Sequence, residues 1–336
     1  MRLSLHPYRL RFRYPFRIAH GMRTGTDVVY VKLEHDGLTA WGEATLPPYL
    51  PETQKTVMEF ITTFYKSVGD ADIEVWFEKL AAVDTNMSAK AALDMALWDM
   101  KAQQAGQTVD GILGIAPANY PLCTYTIGAC ETEEEMQNKV NHGLANGFRF
   151  FKLKLTGTTP VDTINWYKAC TDTPFAVDAN QAWDLSVTKA AYYLNDLLKP
   201  AGCLLVEQPY TKTDLINTAD LKQVAGLPLY ADESCQRLID LERLRDSFDG
   251  INIKLMKCGG ITEAISMIHK ARELGFKILV GCMSESSVGC TAASYLTPLA
   301  DYADLDGPWL IENDPFSGIE LNNGKVGPRP LLFKGW

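Results

Sequence analysis

The chain has 336 residues, 46% of them hydrophobic and 22% charged, the composition of an ordinary soluble globular protein with ample core. Its formal charge of −9 argues against nucleic acid as a partner, because phosphate recognition wants a basic patch. No apolar run approaches the roughly 18 residues of a membrane span, which argues against a membrane.

The first strand candidate, residues 8–14, alternates Tyr8, Leu10, Phe12 and Tyr14 with Arg9, Arg11 and Arg13, the period of a half-buried strand. No apolar stretch with a cleavage site follows this Arg-rich start, so no export signal is expected. A second strand over 28–34 leads through His35-Asp36-Gly37 into a third over 38–44. Residues 88–104 form the clearest helix: Ala92, Met95, Ala96 and Met100 recur at helical spacing, Ser88 suits an N-cap and Gly106 suits a stop. Residues 1–118 therefore read as an α+β domain.

From Pro121 the pattern changes to short apolar strands alternating with helices. The strand candidates are 122–127, 150–155, 175–178, 204–207, 229–232, 251–254 and 277–280, with a weaker one at 302–306. Helices are expected at 131–146, 161–170, 185–197, 215–224 and 261–274. Seven or eight consecutive β-α units predict an α/β closed parallel barrel of TIM type, (β/α)8, over residues 119–310, with functional residues at the C-terminal ends of its strands. No GxGxxG follows the first of these strands, which weakens the rival reading of an open doubly wound sheet. The tail, 311–336, is rich in Gly, Pro and Asn and is expected to pack back on the first domain. Eight cysteines are scattered singly with no CxxC pair, which fits free thiols in a reducing cytoplasm. The five histidines form no ligand-spaced cluster, which argues against a histidine-bound zinc.

Charged residues interrupt the apolar strands at their ends. Lys152 and Lys154, two apart, share one strand face. Asp178, Glu207 and Asp232 end three successive strands. One such Asp alone reads as a helix N-cap; three in successive units make that explanation cumbersome. Three converging carboxylates suit a hard divalent cation, Mg²⁺ or Mn²⁺. Lys254 ends the next strand, across the barrel from the Lys pair, and Lys257 is a competing choice in the loop beyond it. Crowding of cations is expected to lower a lysine's pKa towards that of a general base.

In this arrangement the chain resembles the enolase superfamily, in its muconate-cycloisomerase-like subgroup and nearest in pattern to dipeptide epimerases. The resemblance rests on the KxK of Lys152 and Lys154, the DxN of Asp178 and Asn180, EQP from Glu207, DES from Asp232, and Lys254 before Lys257-Cys258-Gly259-Gly260. Trp41-Gly42-Glu43-Ala44 and AALDMALWDM from Ala91 resemble the family's capping domain. The resemblance implies a modified (β/α)7β barrel with an α+β cap, and Mg²⁺ on Asp178, Glu207 and Asp232 with Asn180 beside them. It also implies that a metal-stabilised ene-diolate forms when a lysine removes an α-proton. Lys154 would carry that proton on one face and Lys254 on the other, while Lys152 tunes Lys154 and contacts the substrate carboxylate. Bases on both faces permit inversion of a carbon.

Asp304-Leu305-Asp306 resembles the DxD of dipeptide epimerases, where carboxylates hold the substrate's α-ammonium group. The expected activity is therefore epimerisation of a dipeptide at its C-terminal residue, with Thr124 and Thr126 contacting the peptide. Arg23, in the capping-loop stretch 19–26, is a candidate for the second side chain. Gly21, Met22 and the lid stretch 46–50 suggest Ala-Xaa substrates with small or apolar Xaa. An o-succinylbenzoate synthase, N-acylamino-acid racemase or cycloisomerase of the same subgroup, and a non-catalytic binding protein on the same scaffold, stay open at this point. So does assembly into a homo-oligomer.

Overall fold

The computed structural model describes residues 1–18, 21–117, 119–155 and 160–336. Ala19 and His20, in the stretch expected to form the first capping loop, lie outside them. The chain opens with β1 (Arg2–Ile18), β2 (Gly21–His35) and β3 (Leu38–Leu46), an antiparallel sheet in that order. The strands run well past the segments read from alternation, because the β1–β2 pairing continues through a register shift between Arg11 and Phe16. Asp36 and Gly37, both at positive φ, turn the β2–β3 hairpin in two residues, as a primed turn requires.

Helices α1 (Gln54–Val68), α2 (Ile73–Ala81) and α3 (Met87–Gln104) cover one face of this sheet. Val57, Ile61, Trp76, Leu80 and Leu93 bury themselves against Val29, Val31 and Leu33. Gly42 is where α3 meets β3: a Cβ there would collide with the carbonyl of Ala92. Ser88 is not the N-cap of α3. The helix starts at Met87, Asn86 precedes it at φ 50°, and Ser88 is buried with its N–H donating to Glu52. A cap preference is local, and here a carboxylate distant in sequence takes over the orphan donor. Gly106, at φ 63°, does follow the helix end.

After the single turn α4 (Val109–Ile112) the barrel begins. Its strands are β4 (Tyr125–Ile127), β5 (Phe151–Lys154), β6 (Phe175–Asp178), β7 (Cys203–Glu207), β8 (Leu229–Ala231), β9 (Gly250–Lys254), β10 (Lys277–Gly281) and β11 (Tyr302–Asp304). Each pairs in parallel with its sequence neighbours, and a bridge from Cys123 to Ala303 brings the two ends of the sheet together. The crossovers carry α5 (Glu133–Ala145), α6 (Pro160–Cys170), α7 (Val187–Tyr192, continued by a π turn to Leu198), α8 (Leu215–Val224) and α9 (Leu241–Leu244). They continue with α10 (Leu255–Cys258), α11 (Ile261–Glu273) and α12 (Ser287–Ser294). Seven crossovers join the eight strands, so the barrel is of the (β/α)7β kind. After α13 (Gly307–Leu310) the chain ends in the hairpin β12 (Phe316–Asn322) and β13 (Lys325–Phe333). Phe316 packs against Tyr30 and Trp41 of the first sheet, and Trp336 lies against Tyr8 and Tyr30.

Period-two alternation layers the barrel interior. Phe150, Ala176, Leu205, Tyr230 and Leu279 form an apolar plug, and two residues further along, Lys152, Asp178, Glu207 and Asp232 open a charged layer. No helix among the described residues is long and apolar enough to cross a membrane.

Two barrel helices are capped by acids from the N-terminal unit. Gly260, which precedes α11, has no side chain, and Asp94 of α3 accepts from Thr262 N (3.1 Å) and Thr262 Oγ1 (2.5 Å) instead. Glu43 of β3 accepts from Ser286 N, Ser286 Oγ and Gly289 N at the start of α12. Negative groups at helix N-termini are stabilised by the orphan N–H groups there. Burial nonetheless pushes Asp94 up to about 6 from 3.8. A carboxyl whose folded pKa is raised stabilises the fold below its unfolded pKa, and loses that contribution as pH rises through its folded pKa. The full span is about 3 kcal/mol, of which roughly half falls between pH 5 and pH 8. Urea denaturation of Asp94→Asn should therefore show the wild type losing about 1–1.5 kcal/mol relative to the variant between those pH values.

Candidate active site

The C-terminal ends of β4 to β11 surround a cavity of about 440 Å³, roofed by Tyr49, Leu50 and Pro51 of the loop after β3. Lys152, Lys154, Asp232, Lys254, Asp304 and Asp306 line it. Asp178 and Glu207 are fully buried, and one oxygen each from Asp178, Glu207 and Asp232 lies within 4.8 Å of the other two. Three hard oxygen donors at that spacing fit a divalent cation such as Mg²⁺. Beside them, Asn180 Oδ1 and Glu233 Oε2 are buried without a hydrogen-bond partner among the described residues.

The lysines reach these carboxylates from two walls. On β5, Lys154 Nζ donates to Asp178 Oδ2 at 2.5 Å. Lys152 sits deeper, 3.4 Å from Glu207 Oε2 and 3.8 Å from Asp178 Oδ2, and pairs closely with Asp304. On β9, four strands away and hence on the far side of the barrel, Lys254 Nζ donates to Asp232 Oδ2 at 2.7 Å. Lys257, the competing choice, donates to Asp232 Oδ1 (2.6 Å), Asp232 O (2.7 Å) and Asn252 O (2.9 Å), which uses all three of its protons. It braces Asp232, whereas Lys254 keeps two protons for the cavity.

Electrostatics run against the expectation of lowered lysine pKa values. Burial alone would depress Lys152 and Lys254. Asp304, Glu207 and Asp178 outweigh it at Lys152, and Asp232 and Glu207 at Lys254, so both stand well above the ordinary lysine value. Burial raises the carboxyls in turn. Glu207 reaches about 8 despite Lys152, and Glu233 about 7 with Asp232 and Asp178 adding to its burial. Asp232 goes the other way: its two lysines overcome burial and hold it well below the ordinary range. Strand order fixes the number of carboxyls around each ammonium, and residue lists alone do not show it.

Asp304 and Asp306 face the same cavity from the end of β11 and the loop after it. Asp304 Oδ1 accepts from Thr124 Oγ1 at 2.5 Å and from Thr126 Oγ1 at 3.4 Å, and Asp306 Oδ2 from Thr126 N at 2.5 Å. The Thr124 hydroxyl is thus buried and donates to Asp304. Asp304 is held low by Lys152 against its burial, while burial and the neighbouring Asp304 push Asp306 up to about 7. Arg23 lines the cavity from β2, its guanidinium 5.3 Å over the ring of Phe12 and its Nη2 buried without a hydrogen-bond partner among the described residues. Tyr49 Oη donates to Met283 Sδ at 3.1 Å across the mouth.

Sequence reasoning missed Asn252, whose Nδ2 donates to Glu207 Oε1 at 2.7 Å. The signal was available: Asn252 lies two residues before Lys254 and so shares its face. It also missed Lys212, Gln181 and Gln236, which line the rim on loops that carry no periodic signal.

Residues 3–114 match the family described as mandelate racemase / muconate lactonizing enzyme, N-terminal domain, and residues 135–318 match the enolase C-terminal domain-like family. A protein of Bacteroides thetaiotaomicron named L-Ala-D/L-Glu epimerase is 40% identical over 334 residues, covering 97% of this chain and 85% of its own. A hydrophobic dipeptide epimerase of Roseobacter litoralis is 33% identical over 336 residues, covering 98% and 96%. Among solved structures, the dipeptide epimerase from Cytophaga hutchinsonii, complexed with Mg and the dipeptide D-Ala-L-Val, superposes with a TM-score of 0.88. It is 28% identical, with 98% of this chain and 93% of that chain covered.

Proposed function

Because the chain belongs to the mandelate racemase / muconate lactonizing enzyme family of the enolase superfamily, we propose that it is a Mg²⁺-dependent epimerase of dipeptides, inverting the α-carbon of the C-terminal residue. In this reading residues 1–118 with 311–336 form a cap on a catalytic barrel of residues 119–310, and the enzyme works in the cytoplasm. The observation that carries it is the pairing of Lys154 and Lys254 across one cavity whose floor is the carboxylate triad.

Asp178, Glu207 and Asp232 would hold Mg²⁺, and the same oxygens would accept Mn²⁺. When bound, the cation supplies Lewis-acid charge for the substrate carboxylate and offsets the carboxylates that raise Lys152 and Lys254. Lys154 takes the α-proton on one face and Lys254 returns one on the other, which inverts the carbon. Lys152, held between Asp304, Glu207 and Asp178, is a fixed positive charge at the carboxylate end of the substrate. Asp304 and Asp306 receive the α-ammonium of the N-terminal residue, a group that muconates, succinylbenzoates and N-acylated amino acids lack. Two carboxyls facing the cavity side by side are what disfavours those alternatives, which bring no ammonium group to them.

The second side chain is the finer question. Residues 21, 22 and 46–50 favoured a small or apolar one, and the exposed Met22 keeps that reading open. Arg23 supports an anionic one, because a part-buried guanidinium whose Nη2 has no partner among the described residues can donate a charge-assisted hydrogen bond to a Glu carboxylate.

With Mg²⁺ in D₂O, the protein is expected to incorporate deuterium at the C-terminal α-carbon of L-Ala-L-Glu; mass spectrometry of a dipeptide library reads this directly. Exchange in no dipeptide would sink the reading, and exchange in N-acylated amino acids surviving Asp304→Asn would favour the alternative. Lys254→Ala should abolish epimerisation while leaving dipeptide binding measurable by calorimetry, whereas a mere binding protein would be indifferent to it. Arg23→Met should lower kcat/KM for L-Ala-L-Glu by about 10- to 100-fold while leaving L-Ala-L-Leu within a few-fold. An unchanged ratio would restore the apolar preference.

A further inference from the structure

We propose that Gln208 is the positioning residue that assembles the three carboxylate-bearing strand ends into one cation site; this rests on the reading that Asp178, Glu207 and Asp232 hold a divalent cation. In a regular parallel ladder the N–H of Gln208 donates to Tyr230, and the Gln208 carbonyl accepts from the N–H of Asp232. The first of these bonds is present at 2.9 Å. The second is not, because Gln208 adopts φ 40° and its carbonyl accepts from Gln181 N, in the loop after Asp178, at 2.8 Å.

The side-chain amide replaces the missing carbonyl. Gln208 Oε1 accepts from Asp232 N at 3.1 Å and from Ser234 N at 3.0 Å, while Nε2 donates to Tyr210 O at 3.0 Å and to Ser234 Oγ at 2.9 Å. All four hydrogen-bonding positions of the amide are filled, and the residue is fully buried. One residue thus reaches the Asp178 loop with its backbone, follows Glu207 directly, and holds the N–H of Asp232 with its side chain.

A positive φ is disfavoured for any residue with a Cβ, and glycine is the usual answer where a fold demands it. Here the left-handed position is held by a glutamine, whose amide glycine would lack. Partners that orient metal ligands commonly change metal affinity by about 10- to 100-fold when removed.

The test is titration of Mn²⁺ into the full chain, with free Mn²⁺ read by electron paramagnetic resonance, for wild type, Gln208→Met and Gln208→Gly. Methionine keeps the bulk without the amide, and glycine removes the amide while relieving the backbone. Both variants are expected to stay folded by circular dichroism, glycine with an unfolding midpoint no lower than that of methionine, and to bind Mn²⁺ about 10- to 100-fold more weakly. A folded variant that binds within twofold of wild type overturns the proposal, since a purely structural role would lower stability and leave the dissociation constant unmoved. Loss of the fold in both variants also overturns it, by making Gln208 a folding residue. Wild-type protein that binds no Mn²⁺ overturns the reading of the triad itself, an outcome distinct from the other two.

Discussion

A dense layer of buried charge at the C-terminal ends of the barrel strands governs this molecule. Ionised groups leave water only when they are paired and hydrogen-bonded. Lys152, Lys154, Lys254 and Lys257 answer Asp178, Glu207, Asp232 and Asp304, with Asp306 and Glu233 close by. Carboxyls outnumber ammonium groups, and burial, with neighbouring carboxylates adding to it, pushes Glu207, Glu233 and Asp306 up from the ordinary carboxyl range. A layer short of positive charge, with three oxygens converging and a substrate cavity above, is poised for a divalent cation and for an ammonium group. Both halves of the proposed chemistry answer the same deficit.

The remainder of the structure keeps that layer in place. The apolar plug of Phe150, Leu205, Tyr230 and Leu279 closes the barrel beneath it. Glu43 and Asp94, reaching from the N-terminal sheet and α3, cap the two helices that flank β10. These interactions bind the first unit, which carries the roof over the cavity, to the barrel through directional hydrogen bonds. Arg23 on β2 and Tyr49 in the loop after β3 line the cavity from that side.

Much of this was legible in sequence where the signal is local. Alternation placed Lys152 and Lys154 on one face, and the apolar segments ended on Asp178, Glu207, Asp232 and Lys254 in the order that strand geometry needs. The failures have a common cause. Ser88 gave up its expected cap position and donates to Glu52, and carboxylates from other strands hold Lys152 and Lys254 above the ordinary lysine value where crowding by cations alone suggests a fall. Each depends on a partner far along the chain, which no window of neighbouring residues contains.

Sequence alone determined which side chains face inward and which sit at strand ends, because the period of two is a property of the extended backbone and needs no partner. Closure of the barrel decided the rest. It set β5 opposite β9, so that Lys154 and Lys254 look at one cavity from two sides, and it decided how many carboxylates surround each lysine. It also turned the Gln208 carbonyl away from its ladder and put an amide in its place. Such pairings are set by strand register and by burial between elements distant in sequence, and these come into being only when the strands assemble.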